Sequence, residues 1–136
     1  MKVVVDTSVW SLALRRRAPS PSPHTELLAE LIRDGRVVLL GMVRQELLSG
    51  IRHPEQSERL RRHLRAFPDL PLETEDHETA AAFFNTCMSH GVQGTPVDLL
   101  LCACAHRRNY ALLTMDPDFD HYGRHLPLNL LKPGAA

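Results

Sequence analysis

Two short hydrophobic runs in this 136-residue chain each lead to an aspartate. Residues 2–6 form a valine-rich run that ends on Asp6, and residues 111–114 form an apolar run that Asp116 follows closely. Hydrophobic strands that place acids at their C-terminal ends build the ligand crevices of open α/β sheets. A buried carboxylate is costly unless a positive group meets it, and a hard divalent cation with oxygen ligands commonly does so. This pattern predicts a parallel sheet with a polar site along one edge.

The rest of the chain alternates between helical and strand patterns. Predicted helices cover residues 25–34, 42–49, 54–67, 75–90 and 95–108, after a short helix capped by Thr7 or Ser8; predicted strands cover residues 2–6, 37–40, 111–114 and, weakly, 128–130, with a brief extended piece at 70–73. The Pro- and Ser-rich segment 15–23 cannot continue a helix and predicts an exposed loop. Strands that alternate with helices require right-handed crossovers. We therefore expect one domain over residues 1–136, with a three-layer α/β/α fold and a mainly parallel sheet of about five strands.

Length and composition favour a cytoplasmic protein. No apolar run is long enough to cross a bilayer. The N-terminus also lacks the basic, apolar and small-residue regions that follow one another in a signal peptide. The three cysteines, Cys87, Cys102 and Cys104, suit a reducing compartment better than a disulfide framework. Because Cys102 and Cys104 are two positions apart on a predicted helix, they point to different faces and do not predict a zinc site.

The formal net charge is zero, so the chain has no overall positive potential that would indicate a nucleic-acid partner. Fourteen of the sixteen basic residues are arginine, which favours bidentate phosphate contacts, although a genome rich in G and C explains the same bias. Arg15, just after the first predicted helix, and Arg44, near Glu46, are the candidates for local contact with a polyanion.

Each acid has a simple structural explanation when it is taken alone. Asp6 could cap the helix that follows it, and Asp116 directly precedes a proline, as a helix N-cap often does. Asp98 lies three residues after Thr95, which is the spacing of a capping box, and Glu46 fits a solvent-facing helical position.

Together, the four acids predict a metal site. Asp6 and Asp116 follow separate strands, Asp98 opens the helix that leads into the second of them, and Glu46 lies on the helix after strand 37–40. In a doubly wound sheet all four can meet at one edge, where their mutual repulsion calls for a compensating cation. We expect Mg²⁺ or Mn²⁺, which bind few carboxylates and leave positions for water and phosphate oxygens.

Four segments resemble the signatures of one protein family. They are VVVDTSVW at 3–10, RQELLSG at 44–50, TPVDLLLCACA at 95–105 and LLTMDPDF at 112–119. In this order and spacing they are similar to the PIN domain and, within it, to the VapC toxins of bacterial and archaeal toxin–antitoxin pairs. No single segment is specific for this family, but the four segments together, in this order and at this spacing, are.

The resemblance implies a set of metal-binding or catalytic residues: Asp6, Glu46, Asp98 and Asp116. It also implies supporting roles for Thr114, for Ser8 or Thr7, and for Asp118, the second acid of the family's terminal DxDF pattern. The implied reaction is RNA phosphodiester hydrolysis by a metal-activated water, with Mg²⁺ or Mn²⁺, leaving 5′-phosphate and 3′-hydroxyl ends. Asp6 and Asp116 are the expected direct ligands.

The resemblance further implies three partners. These are an RNA substrate such as tRNA or another structured RNA, a small VapB-like antitoxin, and a second copy of the chain in a homodimer. The apolar stripe Leu60, Leu64 and Phe67 is a candidate surface for a protein partner, although such stripes are more often part of the core.

Two other functions remain open on the sequence alone. A phosphatase of the haloacid dehalogenase type also begins with a strand-borne aspartate, but it uses a DxD pair, and position 8 here is Ser. A PIN-like module that binds RNA or protein without cutting does not need all four acids. This chain has all four, which argues against such a module. Nucleotide-cofactor binding has no support, because neither GxGxxG nor a Walker A segment is present.

Overall fold

The computed structural model describes residues 1–14 and 22–134 and has an α/β fold. Its elements in chain order are β1 (Val3–Val5), α1 (Thr7–Leu14), α2 (Pro23–Arg33), β2 (Val37–Val38), α3 (Gly41–Leu48), α4 (Pro54–Leu64), α5 (Thr74–Ser89), α6 (Pro96–Arg108), β3 (Ala111–Leu113) and α7 (Asp118–Gly123). The sequence predicted every one of these elements except α7, with small shifts in the boundaries.

Helix α2 begins two residues earlier than the sequence predicted. Pro23 is its first residue, and Ser22 caps it, because the Thr25 amide donates to Ser22 Oγ at 3.1 Å. Proline suits the first helical turn, where its missing N–H has no partner to lose. The end of the predicted loop is therefore a helix start, while residues 15–21, with Arg15, lie outside the described residues.

The sheet is parallel and has β1 at its centre, in the order β2–β1–β3. Val4 of β1 is in register with Val38 of β2 and Leu112 of β3. Isolated parallel bridges, Leu39 to Asp69 and Leu112 to Leu130, add one backbone segment at each side. The predicted sheet of about five strands thus takes the form of three strands flanked by two bridged segments.

Helices cover both faces of this sheet. Val3, Val4 and Val5 are all 0% exposed, and successive strand residues point to opposite faces, so neither face is open to solvent. Helix α6 is buried nearly all round through its middle, including Cys102 and Cys104, as expected for a helix inside the core. Although α6 is apolar, no helix in the described part of the chain is long and apolar enough to cross a membrane.

The apolar stripe of α4 belongs to the core. Leu60 and Leu64 are buried, and the Phe67 ring packs edge-on against Trp10 with ring centroids 5.2 Å apart. Trp10 is itself fully buried. The stripe is therefore occupied within the chain and is not a free surface for a protein partner.

A buried acid that the sequence reading missed fastens α5 to the end of α6. The Asp76 side chain is fully buried. It accepts hydrogen bonds from Arg107 Nη1 at 2.6 Å and from Arg108 Nη1 and Nη2 at 2.7 and 2.9 Å. It also accepts the Glu73 amide at 2.8 Å, which caps α5. These donors, led by Arg108, hold the pKa of Asp76 well below its usual range, so the side chain is ionised at neutral pH and fastens the two helices together.

Candidate functional site

The C-terminal ends of β1 and β3 lie side by side and carry the first two predicted acids. The Asp6 amide donates to the Leu113 carbonyl at 2.9 Å, which extends the pairing of the two strands to the acid itself. The Asp6 carbonyl then accepts from the Val9 amide at 3.2 Å and begins α1. Asp6 is therefore fixed by the sheet on one side and by a helix start on the other.

Two hydroxyl groups connect Asp6 with the chain around Asp116. Ser8 Oγ and Thr114 Oγ1 donate to the same oxygen, Asp6 Oδ2, at 2.8 and 2.9 Å. The Asp116 amide donates back to Thr114 Oγ1 at 3.0 Å, and the Met115 amide donates to Ser8 Oγ at 3.0 Å. The structure thus places Ser8 and Thr114 beside the acids, where the sequence predicted supporting residues.

Three acids form the tightest group in the site. One carboxylate oxygen from each of Asp98, Asp116 and Asp118 lies within 4.8 Å of the others. Asp116 Oδ1 also accepts the Asp118 amide at 2.9 Å, which brings Asp118 in at the start of α7. Asp118 was expected only as a supporting residue, but it lies close enough to Asp98 and Asp116 to be a third ligand of the same ion. Asp6 and Glu46 are outside this trio.

Asp98 enters the site from the first turn of α6. Its amide donates to the Thr95 side chain at 3.1 Å, so Thr95 caps the helix as the sequence predicted. Burial raises the pKa of the Asp98 carboxyl, and the nearby Asp6 and Asp116 add to the rise. A hydrogen bond of 2.9 Å from the Tyr122 hydroxyl to Asp98 Oδ2 acts against it.

Tyr122 is a site residue that the sequence reading missed. It lies on α7, which was not predicted, and burial together with its bond to Asp98 raises the pKa of its hydroxyl. The same packing needs glycine at position 94, because a Cβ there would lie 2.2 Å from Leu99 Cδ2 and 3.4 Å from the Tyr122 ring. The run Tyr-Gly after the DxDF segment gave no signal that could have identified this contact.

Glu46 reaches the site from α3. Partial burial raises the pKa of its carboxyl, and repulsion from Asp6 and then Asp98 raises it further, while the Thr7 hydroxyl lowers it. Within the described residues the buried Thr7 hydroxyl makes no hydrogen bond of standard geometry. Asp6 and Asp98 thus lie near enough to act on Glu46, and Asp6 and Asp116 near enough to act on Asp98, as expected for one site.

The donor set fits a hard divalent cation. Among the described residues, none of the acids Asp6, Glu46, Asp98, Asp116 and Asp118 forms an ion pair with Lys, Arg or His. Clustered carboxylates without a protein counter-charge repel one another and favour a bound cation, and oxygen-only ligands suit Mg²⁺ or Mn²⁺. The residues present can hold such an ion.

The arginine predicted to bind substrate is engaged in holding the fold. Arg44 Nε pairs with Asp69 Oδ1 at 2.8 Å, and its other nitrogens donate to the carbonyls of Leu64 and Phe67. These contacts attach α3 to the segment after α4 and leave the guanidinium little capacity for phosphate. Substrate binding by Arg44 therefore receives no support from its geometry, and Arg15 lies outside the described residues.

Comparison with known proteins gives both a family and a set of structural neighbours. The family model described as the PIN domain matches residues 3–125. No curated protein matches the chain in the search of curated sequences.

Three solved structures illustrate the structural likeness. FitAcB from Neisseria gonorrhoeae aligns with a TM-score of 0.77 at 19% identity, covering 98% of this chain and 99% of that one. VapBC2 from Rickettsia felis, bound to a promoter DNA fragment, aligns at 0.76 and 18%, covering 96% of each chain. A toxin–antitoxin complex from Klebsiella pneumoniae aligns at 0.67 and 17%, covering 99% of this chain and 100% of that one. At such identities the likeness establishes a shared fold over the whole chain.

Proposed function

Because this chain belongs to the PIN domain family, we propose that it is a metal-dependent endoribonuclease and the toxin of a VapBC-type toxin–antitoxin pair. The observation that carries the proposal is the meeting of uncompensated carboxylates at one sheet edge, with Asp98, Asp116 and Asp118 within 4.8 Å of one another. A site that is negative by itself attracts a polyanion only when a cation is bound there. RNA hydrolysis assisted by Mg²⁺ or Mn²⁺ is the chemistry that such a site supports best.

In this proposal the trio and Asp6 hold the ion. Asp6 Oδ2 already accepts two hydroxyl hydrogen bonds, whereas Asp6 Oδ1 accepts none from the described residues and is the oxygen available to a metal. Mg²⁺ or Mn²⁺, when bound, would lower the pKa of a water and stabilise charge on the phosphate oxygens. The expected products carry 5′-phosphate and 3′-hydroxyl ends.

The remaining residues orient groups around the ion. Ser8 and Thr114 fix the direction of the Asp6 carboxylate, and Tyr122 fixes that of Asp98. In this proposal the general base is Glu46, which stands outside the trio and has a raised pKa, and it accepts a proton from the attacking water. Each of these residues lies in a helix or directly at a strand end, and such positions are more precise than positions on loops.

The proposal includes an antitoxin, a homodimer and a cytoplasmic location, where RNA and an antitoxin would both be available. The structural neighbours support the antitoxin, since they include a toxin–antitoxin complex. An apolar groove of about 450 Å³ between α5, α6 and Met42, lined by Ala80, Phe84 and Leu99 among others, offers surface for a protein contact. The RNA is proposed to be tRNA or another structured molecule.

The test is cleavage of total cellular RNA by the purified chain, freed of any partner, in Mg²⁺, in Mn²⁺ and in EDTA. Asp6→Asn and Asp116→Asn are the inactivating variants, and Asp120→Asn, whose acid pairs with Lys132 on the surface at 2.8 Å, is the matched control. We expect discrete cuts that need metal, disappear in both site variants and persist in the control.

Three other outcomes would contradict the proposal. RNA binding without cutting in any metal would indicate a non-catalytic PIN module. Release of phosphate from small phosphomonoesters without RNA cleavage would indicate a phosphatase. RNA cleavage that continues in EDTA would show that the acids do not act by binding a catalytic metal ion.

A further inference from the structure

A cleft of about 260 Å³ opens directly beside the acidic trio. Its walls are the loop between α5 and α6, with Gly91, Val92 and Gln93, and the face of α7 that carries Asp118, His121 and Tyr122. This volume has room for a single nucleobase and is much too small for a helix.

The cleft and the acidic trio share structure. Asp118 belongs to both, and Tyr122, which forms part of the cleft wall, donates to Asp98 in the trio. A phosphodiester held at the trio would therefore have one of its two attached nucleosides at the mouth of this cleft.

The lining of the cleft can form hydrogen bonds with a base. Gln93 and His121 are exposed, and a side-chain amide offers both donors and an acceptor. Arg124 Nη1 lies 3.3 Å from His121 Nδ1, and because a guanidinium can only donate, Nδ1 accepts and the ring proton is on Nε2. His121 therefore presents an N–H donor, and Gln93 presents either group, to the edge of a base.

The loop is shaped to leave the cleft open. Gly91 has φ +73°, and a Cβ at that position would meet nothing within 4 Å, so the residue needs glycine for its backbone rather than for space. Just before it, the His90 ring stacks on His125, with centroids 4.2 Å apart. This contact ties the start of the loop to the chain after α7 and so holds the two walls together.

We propose that this cleft binds one unpaired nucleoside of the RNA, next to the phosphodiester at the acidic trio, and that Gln93 and His121 distinguish the base. The inference rests on the proposed function, since it takes RNA as the substrate. Sequence-specific proteins commonly recognise unpaired RNA through the exposed edges and faces of its bases, and a cleft for one base beside the cutting site would give the enzyme a preferred cleavage position.

The test measures binding without cleavage. Fluorescence anisotropy in Ca²⁺, which takes oxygen ligands but lacks the strict octahedral geometry of Mg²⁺, would compare four short homopolymeric RNAs, oligo-A, -C, -G and -U, on the full wild-type chain and on the double variant Gln93→Ala/His121→Ala, and a gel would check that each RNA stays intact. The matched control is Asn85→Ala/His63→Ala, which removes an exposed amide on α5 and an exposed imidazole on α4, both away from the cleft.

We expect wild type to bind one base type about tenfold more tightly than the weakest. The double variant should bind all four within about threefold of one another, and the control should keep the wild-type order. No RNA binding, no base preference in wild type, or a preference that survives in the double variant would overturn the inference. Base-selective binding by a chain that never cuts RNA would instead contradict the proposed function and leave the cleft assignment standing.

Discussion

The Thr114 hydroxyl donates a hydrogen bond of 2.9 Å to Asp6, although the two residues are 108 positions apart in the chain. The same hydroxyl accepts the Asp116 amide at 3.0 Å. One small side chain therefore sets the relative position of the acids that follow two neighbouring parallel strands. The proposed chemistry depends on that spacing, because a misplacement of about 1 Å can reduce a rate about a hundredfold.

Replacement of this hydroxyl should affect the reaction more than the fold. Thr114→Val keeps the shape but removes the donor to Asp6 and the acceptor for Asp116, so we expect kcat/KM for RNA to fall about tenfold to a hundredfold. The free energy of unfolding should fall by about 1–3 kcal/mol. Thr114→Ser, which retains the hydroxyl, should restore most of the activity. Full activity in Thr114→Val would show that this hydrogen bond does not position the acids.

Loss of the Tyr122 hydroxyl should make metal binding more sensitive to acid. The hydroxyl lowers the pKa of Asp98, so Tyr122→Phe raises that pKa further and protonates the ligand at a higher pH. Because a ligand must be ionised to bind metal, Mn²⁺ affinity measured by calorimetry should fall more at pH 6 than at pH 8. Tyr110→Phe is the control. An equal loss at both pH values would indicate a purely steric effect.

Removal of the buried acid at position 76 should destabilise the fold without touching the site. Asp76→Asn leaves Arg107 and Arg108 without their buried counter-charge, which typically lowers the free energy of unfolding by about 3–5 kcal/mol. Chemical denaturation would measure it, and Asp120→Asn, which removes an exposed partner of Lys132, should change stability little.

The same acid predicts how stability depends on pH. The pKa of Asp76 in the folded chain is below its ordinary value, which is about 3.9. Its contribution is therefore complete above that ordinary value and is lost as the pH falls below it. Asp76→Asn should flatten the acid side of the stability profile. An unchanged profile would mean that other carboxylates control acid unfolding.

A methyl group at position 94 should disturb the start of α6. A Cβ on Gly94 would lie 2.2 Å from Leu99 Cδ2, so Gly94→Ala forces a buried leucine to move and should cost about 1–3 kcal/mol. RNA cleavage should fall as well, because Thr95 and Asp98 follow directly. Gly41→Ala, whose Cβ would meet only ordinary contacts at 3.7 Å and beyond, should be tolerated. Equal melting temperatures for the two variants would contradict this account.

The convergence of the acids was predictable because each one stands at a point that the secondary structure defines. Asp6 and Asp116 follow strands, Asp98 opens a helix, and parallel strands share one C-terminal edge. The proximity of Asp118 to Asp98 was not predicted, because it depends on α7, a six-residue helix with no clear periodicity. Sequence spacing alone could not show that a carboxylate oxygen of Asp118 lies within 4.8 Å of one on Asp98.

The contacts that the sequence reading missed join residues far apart in the chain. Tyr122 reaches Asp98 across 24 positions, and Arg107 and Arg108 reach Asp76 across 31 and 32. Asp76 has the spacing of a helix-capping acid, which it also is, so its local pattern was explained without any partner. Arg44 was assigned to substrate for the opposite reason, since its proximity to Glu46 is visible in the sequence and its bonds to the end of α4 are not.

The most direct test of the central claim is the chemistry of the RNA ends. A single labelled RNA would be cut by the wild-type chain in Mg²⁺ and by Asp98→Asn alongside it, and the new termini would be identified by enzymatic end-labelling and mass spectrometry. Hydrolysis by a metal-activated water at these acids predicts 5′-phosphate and 3′-hydroxyl ends that form only with metal and disappear in Asp98→Asn. Ends with a 2′,3′-cyclic phosphate, or cutting that continues in EDTA, would contradict the assignment of the acidic cluster as the catalytic site.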